Sequence, residues 1–165
     1  MTIRDAVAED VPAILAIYNE VIASSTAVYR DTPATLDDRL DWFNARRAQS
    51  YPILVAADDS GLLGFASYGD FRAWPGYRFS VEHTVHIRAD QRGRGVGSAL
   101  MRVLIQRAIA QGKHVMIGGV DAENEASLRF HERLGFVRAA RLHQVGFKFN
   151  RWLDLVFVER VLDAR

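Results

Sequence analysis

Hydrophobic and polar positions along this chain follow two periods, and the switch between them marks the predicted elements. Four stretches place apolar residues at helical spacing: about Glu9–Ile22, Thr35–Gln49, Ser98–Gly112 and Glu125–Leu134. Seven shorter stretches are typical of strands: Thr2–Ala6, Pro52–Ala57, Leu62–Gly69, Phe79–Arg88, His114–Val120, Phe136–Val145 and Leu153–Val161. The order, β-α-α-β-β-β-α-β-α-β-β, predicts one α/β domain over residues 1–165, with no internal repeat or linker.

Two loops stand out between these elements. Ser24–Pro33 shows neither period, and two interpretations stay open. It is either a plain connector or a loop that lines a pocket, since long loops in compact domains are often functional. The second loop, Phe71–Arg78, is aromatic and basic and leads directly into the fourth strand.

Composition narrows the class of protein and its partners. The chain has 165 residues, 49% of them hydrophobic and 25% charged, with a formal net charge of +1. That balance gives no reason to expect a nucleic acid or an anionic membrane as partner. The absence of cysteine excludes disulfides, thiolate metal sites and a cysteine nucleophile. No signal peptide or membrane span is recognisable, so we expect a cytoplasmic protein without a metal.

A glycine-rich turn joins the fourth strand to the third helix, over Arg92–Ser98. Glycine allows positive φ and a close backbone approach, and the free N–H groups at a helix start bind anions. A nucleotide-binding P-loop would need a lysine before its final Ser or Thr, and a Rossmann fingerprint would need glycine at Ser98. Both are excluded. A phosphate-binding turn and a turn without a ligand remain open at this point.

Two motifs resemble those of the GNAT N-acetyltransferases. The turn segment Arg92–Gly97 is similar to the family signature Q/R-x-x-G-x-G/A, and Asn124–Ser127 followed by Leu134–Phe136 is similar to its second motif. The resemblance covers nearly the whole chain. It implies a mixed, mostly antiparallel sheet of about seven strands flanked by about four helices. It also implies acetyl-CoA as co-substrate, with its pyrophosphate held by the turn.

A closer resemblance concerns one branch of that family. Gly76–His86 and Gly146–Asp154 resemble the phosphinothricin and methionine sulfoximine/sulfone acetyltransferases. That branch acetylates the α-amino group of small amino acids, and its members are usually homodimers. Phosphinothricin enzymes carry a histidine where this chain has Phe149.

Glu82 is the main catalytic candidate. Strand alternation puts Glu82 on the polar face of the fourth strand with His86, while His83 shares the other face with Val81. A carboxylate in an apolar strand is costly unless it is paired or used. An α-ammonium has a reference pKa near 8, so a base is needed at neutral pH. A structural ion pair with an arginine is the competing interpretation.

The resemblance assigns further residues. It implies that the cofactor is bound at the end of the fourth strand, in the turn and at the start of the last helix. Those residues are Val85, His86, Ile87, Arg92, Gly93, Arg94, Gly95, Val96, Gly97, Ser98, Asn124 and Ser127. His131 occupies the position of a thiolate-protonating tyrosine, and either supplies that proton or is a packed helix residue. The substrate would be recognised by the loop before the strand, through Arg72, Ala73, Trp74 and Arg78, together with Glu82.

Two other functions stay open on sequence grounds. The chain could acetylate a different amine, such as a polyamine, an aminoglycoside or a protein N-terminus. It could also be a CoA-binding module without catalysis. The arginines near Glu82 favour an anionic amino acid over a polycation.

Overall fold

The computed structural model describes residues 1–162, which contain seven strands and four α-helices. The strands are β1 (Thr2–Asp5), β2 (Ile53–Asp58), β3 (Gly61–Asp70), β4 (Ser80–Ile87), β5 (Val115–Asp121), β6 (Val137–Lys148) and β7 (Arg151–Val161). The helices are α1 (Val11–Ser24), α2 (Leu36–Ala48), α3 (Val96–Ala110) and α4 (Glu125–Arg133). Single 3-10 turns occur at Ala8–Asp10, Pro75–Tyr77 and Ala89–Gln91.

The strands form one mixed sheet in the order β1-β2-β3-β4-β5-β7-β6. Every pairing is antiparallel except that of β4 with β5. The predicted fold class is therefore confirmed. The single-domain prediction over residues 1–165 remains a prediction, because 163–165 lie outside the described residues.

The parallel pair in the middle of the sheet opens after three residues. It joins Ser80 to Val115, Val81 to Met116 and Glu82 to Ile117, although β4 runs on to Ile87. Within residues 1–162 the two strands make no further ladder contact, so they diverge and leave a gap. Glu82 is the last residue of β4 that pairs with β5, whereas pairing with β3 continues to Ile87.

Helices cover both faces of the sheet. On one face, α1 and α2 bury a cluster that includes Ile14, Phe43 and Phe65. On the other face, the apolar stripe of α3, with Leu100 and Leu104, packs on a larger cluster that extends to α4. None of the helices in the described part of the chain is long and apolar enough to cross a membrane.

The helix boundaries follow the expected capping chemistry. Thr35 caps α2, since its side chain accepts a hydrogen bond from the backbone N–H of Asp38. α1 begins at Val11 rather than Glu9, because residues 8–10 form a 3-10 turn in which the Asp10 carboxylate accepts from the N–H of Val7.

The last hairpin is longer than the sequence predicts. β6 continues from Val145 to Lys148, and β7 begins at Arg151 instead of Leu153. Phe149 and Asn150 both have positive φ, 51° and 58°. Two consecutive residues with positive φ are typical of a two-residue type I′ hairpin turn, whose twist matches that of the flanking strands. Strand pairing therefore continues up to Lys148 and Arg151. Phe149 gave no turn signal in the sequence.

Candidate active site

A cleft of about 610 Å³ begins where β4 and β5 separate. It brings together all but one of the residues that the family resemblance assigned to the cofactor. The exception is Arg94, whose Nη1 donates a hydrogen bond to Gln91 Oε1 at 2.6 Å. The end of β4 supplies one wall, the turn and α3 supply the floor, and α4 supplies the facing wall.

The glycine turn has the backbone geometry that its sequence predicts. Gly93 and Gly95 have φ values of +75° and +83°, and Gly95 is the N-cap residue of α3. A Cβ atom at either position would meet no protein atom within 4 Å. Glycine is therefore favoured at these two positions by the positive φ and by the close approach of a ligand from the cleft. Packing against the rest of the protein does not require it. The N–H groups in the first turn of α3 lie beside the cleft, and such unpaired groups at a helix start can bind an anion.

The start of α4 has a dual part in the cleft. Asn124 Oδ1 accepts a hydrogen bond from the Ser127 backbone N–H at 3.1 Å, so Asn124 is a helix cap, and both residues also line the cleft. Sequence reasoning missed Ala126, Phe130 and Arg133, which line it as well. Their spacing of four and three residues places them on one helix face, which was the available signal.

The loop between α1 and α2 also reaches the cleft. Ser25 and Ala27 line it opposite the turn. Of the two interpretations for this loop, the pocket-lining one is correct. Long-range contacts that the sequence did not indicate fix it there.

Glu82 lies just outside this cleft, three residues before Val85 on β4 and on the face covered by α1 and α2. It is half-buried, and within residues 1–162 its carboxylate forms no salt bridge. Burial raises the pKa of Glu82, and the charge of Arg72 acts in the opposite direction. The interpretation as a structural ion pair is therefore not supported. The carboxylate has the raised proton affinity and the partial exposure that suit a base.

Two consecutive glycines of β5 make room beside β4. A Cβ on Gly118 would lie 2.6 Å from His83 Nε2, so the imidazole occupies that space. A Cβ on Gly119 would lie 3.6 Å from Glu82 Oε1, on the opposite face. Glycine inside a strand is a signal for such a close approach, and sequence reasoning did not use it here.

His131 is a packed core residue rather than a wall of the cleft. It is 3% exposed, its ring stacks on His83 at 5.1 Å, and its Nδ1 lies 2.7 Å from Ser127 O. A carbonyl oxygen only accepts hydrogen bonds, so Nδ1 carries the hydrogen of the neutral ring. The buried Nε2 therefore carries no hydrogen and has no proton to donate to a thiolate. Burial lowers the pKa of His131, and the hydrogen bond with Ser127 acts in the opposite direction. The prediction of a thiolate-protonating histidine is not supported by this arrangement.

The predicted substrate loop lies at the surface beside Glu82. Trp74 is 75% exposed, and Arg72 and Ala73 are exposed next to it. Arg72 is close enough for its charge to affect the pKa of Glu82. Arg78 is folded back onto its own loop, donating to Pro75 O at 3.1 Å and lying over the ring of Phe79. Arg72 is therefore the better placed of the two arginines.

Metal chemistry has no candidate ligands in the described part of the chain. No group of three or more His, Cys, Asp or Glu side chains within residues 1–162 could hold a metal ion.

Comparison with known proteins identifies the family. The family model described as "Acetyltransferase (GNAT) family" matches residues 14–136. An L-methionine sulfoximine/L-methionine sulfone acetyltransferase from Pseudomonas paraeruginosa is 52% identical over 98% of this chain and 95% of that protein. A phosphinothricin N-acetyltransferase from Alcaligenes faecalis is 40% identical over 99% of this chain and 83% of that protein.

A solved structure agrees with the same assignment. A putative acetyltransferase from Salmonella typhimurium, solved with its cofactor acetyl-CoA, superimposes with a TM-score of 0.96. It is 42% identical, and the match covers 99% of this chain and 95% of that one.

Proposed function

The chain belongs to the GNAT acetyltransferase family, and from that premise we propose that it transfers the acetyl group of acetyl-CoA to the α-amino group of a small amino acid. The substrates we propose are methionine sulfoximine, methionine sulfone and phosphinothricin, because relatives 40–52% identical over nearly the whole chain carry those names. The observation that carries the mechanism is the position of Glu82. It is a half-buried carboxylate that forms no ion pair within the described residues 1–162, at the point where β4 and β5 separate.

The cleft fits acetyl-CoA, which supplies the reactive thioester. The turn Gly93–Ser98 presents backbone N–H groups at the positive end of α3, as a pyrophosphate requires. The exposed Arg92 lines the same region and adds a positive charge. The backbone of Val85–Ile87 pairs with β3 but no longer with β5, so its free edge is available to a bound pantetheine arm. Asn124 and Ser127 face it across the cleft.

Glu82 acts as the base in this proposal. The amine must lose a proton before it attacks the thioester carbonyl, and Glu82 takes that proton directly or through a water molecule. Its raised pKa improves its proton affinity, and its negative charge attracts the incoming ammonium group. Glu82 lies on the side of β4 away from the glycine turn. The amine can therefore approach the thioester from a different direction than acetyl-CoA.

Arg72 and Trp74 form the substrate-recognition side of the site. A guanidinium binds a carboxylate or a tetrahedral phosphinyl or sulfonyl-type group through paired hydrogen bonds. Trp74 then covers the aliphatic part of the amino acid. The exposed Ala73 separates these two residues, and Arg78 stabilises the loop by donating a hydrogen bond to Pro75 O.

A thiol-release assay with purified protein tests this function. Methionine sulfoximine, methionine sulfone and phosphinothricin are compared with spermidine, an aminoglycoside and a short peptide with a free N-terminus. We expect turnover on at least one member of the first group and much lower kcat/KM on the second. Preferred turnover on the second group would assign a different acceptor. CoA binding without turnover on any amine would indicate a non-catalytic module.

We also propose a homodimer. The last hairpin exposes large apolar side chains, among them Val145, Phe147 and Trp152, which is 64% exposed. The rings of Phe147 and Trp152 make an edge-to-face contact with centroids 4.9 Å apart, so the apolar patch extends over the hairpin at the sheet edge. Sedimentation equilibrium should give twice the chain mass, and a Phe147→Ser variant should shift it toward the monomer. A cytoplasmic location stays a prediction.

A further inference from the structure

Lys148, at the end of β6, carries a fully buried ammonium group that contacts no acidic side chain among residues 1–162. It is 2% exposed, and its Nζ donates to the carbonyl oxygens of Ile22, Ser25 and Val28 at 2.6, 2.7 and 2.7 Å. An ammonium group has three hydrogens, so all of its donors are used. Two of these carbonyls belong to the end of α1 and its cap, where the helix dipole is negative and the carbonyls lack helical partners.

Two further contacts fix the same loop, residues 25–29, which we call the strap. Thr26 Oγ1 donates to the carboxylate of Asp121, the buried last residue of β5. Gly146 on β6 leaves space for Tyr29, since a Cβ on this glycine would lie 2.3 Å from the Tyr29 ring. The strap is thus attached to residues more than ninety positions later in the sequence, and within residues 1–162 Lys148 donates two of the three hydrogen bonds that join the strap to β5 and β6.

The strap forms part of the active-site wall. Its residues Ser25 and Ala27 line the cleft together with Gly95 and Asn124. Burial lowers the pKa of Lys148, and the charge of Asp31 acts in the opposite direction. The Lys148 ammonium group is therefore stabilised by hydrogen bonds rather than by an adjacent carboxylate. The same hydrogen bonds fix the position of the backbone carbonyls that accept them.

We propose that Lys148 is a positioning residue of the acetyltransferase site, which holds the strap against the cleft so that acetyl-CoA and the amine find a preformed wall. This inference rests on the proposed function. A solely structural lysine would contribute to stability and leave ligand affinity in the folded protein unchanged. A positioning lysine sets the fraction of molecules in which the wall is closed. If that fraction falls to about a tenth, the apparent Kd rises about tenfold.

The absence of cysteine makes a specific rescue experiment possible. In Lys148→Cys the new thiol is the only one in the chain. Treating the unfolded variant with 2-bromoethylamine and refolding it converts that residue into a lysine analogue of nearly the same length. We expect the Kd for CoA, measured by calorimetry, and the KM for the amine to rise at least about tenfold in Lys148→Cys. Aminoethylation should restore most of both, and kcat at saturation should change less than KM.

Hydrogen exchange gives a second readout that does not depend on turnover. The amides of residues 25–29 should exchange faster in Lys148→Cys and recover after aminoethylation. Arg138→Gln is the matched control, because it removes the side-chain ion pairs of another cation on β6, with Glu125 and Glu132, at the surface. Its affinities and strap exchange should equal those of the wild type.

Unchanged CoA affinity and strap exchange in a folded Lys148→Cys protein would overturn the proposal. If that variant does not fold, Lys148→Met provides the test, since its uncharged side chain has a similar length but donates no hydrogen bond to the strap. It should raise the Kd for CoA and speed strap exchange, and wild-type values for both would again overturn the proposal. Wild-type protein that binds CoA but acetylates no amine would contradict the proposed function alone, because strap exchange and CoA affinity still report on Lys148.

Discussion

Acid should destabilise this protein already in a pH range where carboxylates with ordinary pKa values do not yet titrate, because histidines are buried in neutral form. His83 is 6% exposed, and neither of its ring nitrogens has a hydrogen-bond partner. Burial, together with the neighbouring His131, lowers the pKa of His83 to about 3. His86 packs between Tyr18 and Phe65, and burial lowers its pKa to about 4.

The sign and size of the effect follow from proton linkage. Both folded-state pKa values lie below the unfolded value of about 6.5, so the unfolded chain binds more protons as the pH falls. The contribution of the two neutral histidines to the free energy of unfolding is fully present above a pH of about 6.5. It is lost progressively as the pH falls toward the folded-state pKa values. At pH 5 each histidine costs about 2 kcal/mol, because 1.5 pH units at about 1.36 kcal/mol per unit separate that pH from the unfolded pKa. Two histidines give about 4 kcal/mol, a large part of a typical stability of 5–15 kcal/mol.

Urea titrations at pH 7 and pH 5 measure this directly. The wild type should lose about 4 kcal/mol of unfolding free energy, and His83→Phe should lose about half of that. His143→Gln is the matched control, because His143 is exposed on β6, and its pH dependence should equal that of the wild type. Glu82, whose folded pKa is raised, works in the opposite direction and reduces the total. Equal unfolding free energies at the two pH values would refute the reasoning.

Three further predictions concern the site. Glu82→Gln should lower kcat at pH 7 by about 10²–10⁴-fold with little change in CoA affinity, and the loss should shrink toward pH 9 as free amine accumulates; wild-type activity at pH 7 would exclude Glu82 as the base. Gly95→Val should abolish detectable CoA binding in calorimetry and destabilise the start of α3, because φ is +83° there and a side chain would enter the cleft; normal binding would contradict the turn assignment. Arg72→Gln should raise the KM for the amino acid about tenfold or more and leave the KM for acetyl-CoA unchanged, whereas equal changes in both constants would contradict a substrate-binding role.

Two separate effects of the Gly95→Val substitution should weaken CoA binding. From sequence alone, a valine at this position clashes with a bound phosphate. The structure adds backbone strain, since φ is +83° at Gly95 and a β-branched side chain disfavours that conformation even where space is free. Both effects act in the same direction, but only the strain exists without ligand. Thermal unfolding of the ligand-free variant separates them.

Sequence reasoning was reliable where the signal is local. Hydrophobic period depends on neighbours three or four positions apart, so the elements and their order were predictable. Caps and turns depend on a few adjacent residues, which is why Thr35, Asn124 and Gly95 were placed correctly. The family motifs allowed further predictions, because the resemblance implies contacts between distant parts of the chain that the residues alone do not show.

What only the tertiary structure decided depends on contacts between distant parts of the chain. Period shows that one side of α4 is buried, but not that His131 stacks on His83 instead of facing the cleft. It shows that Glu82 is on a strand, but not that pairing with β5 ends there. It gives no hint that Lys148 binds the end of α1. A residue's own neighbours determine its secondary structure, whereas its function here depends on which remote backbone and side-chain groups the fold brings within a few ångströms.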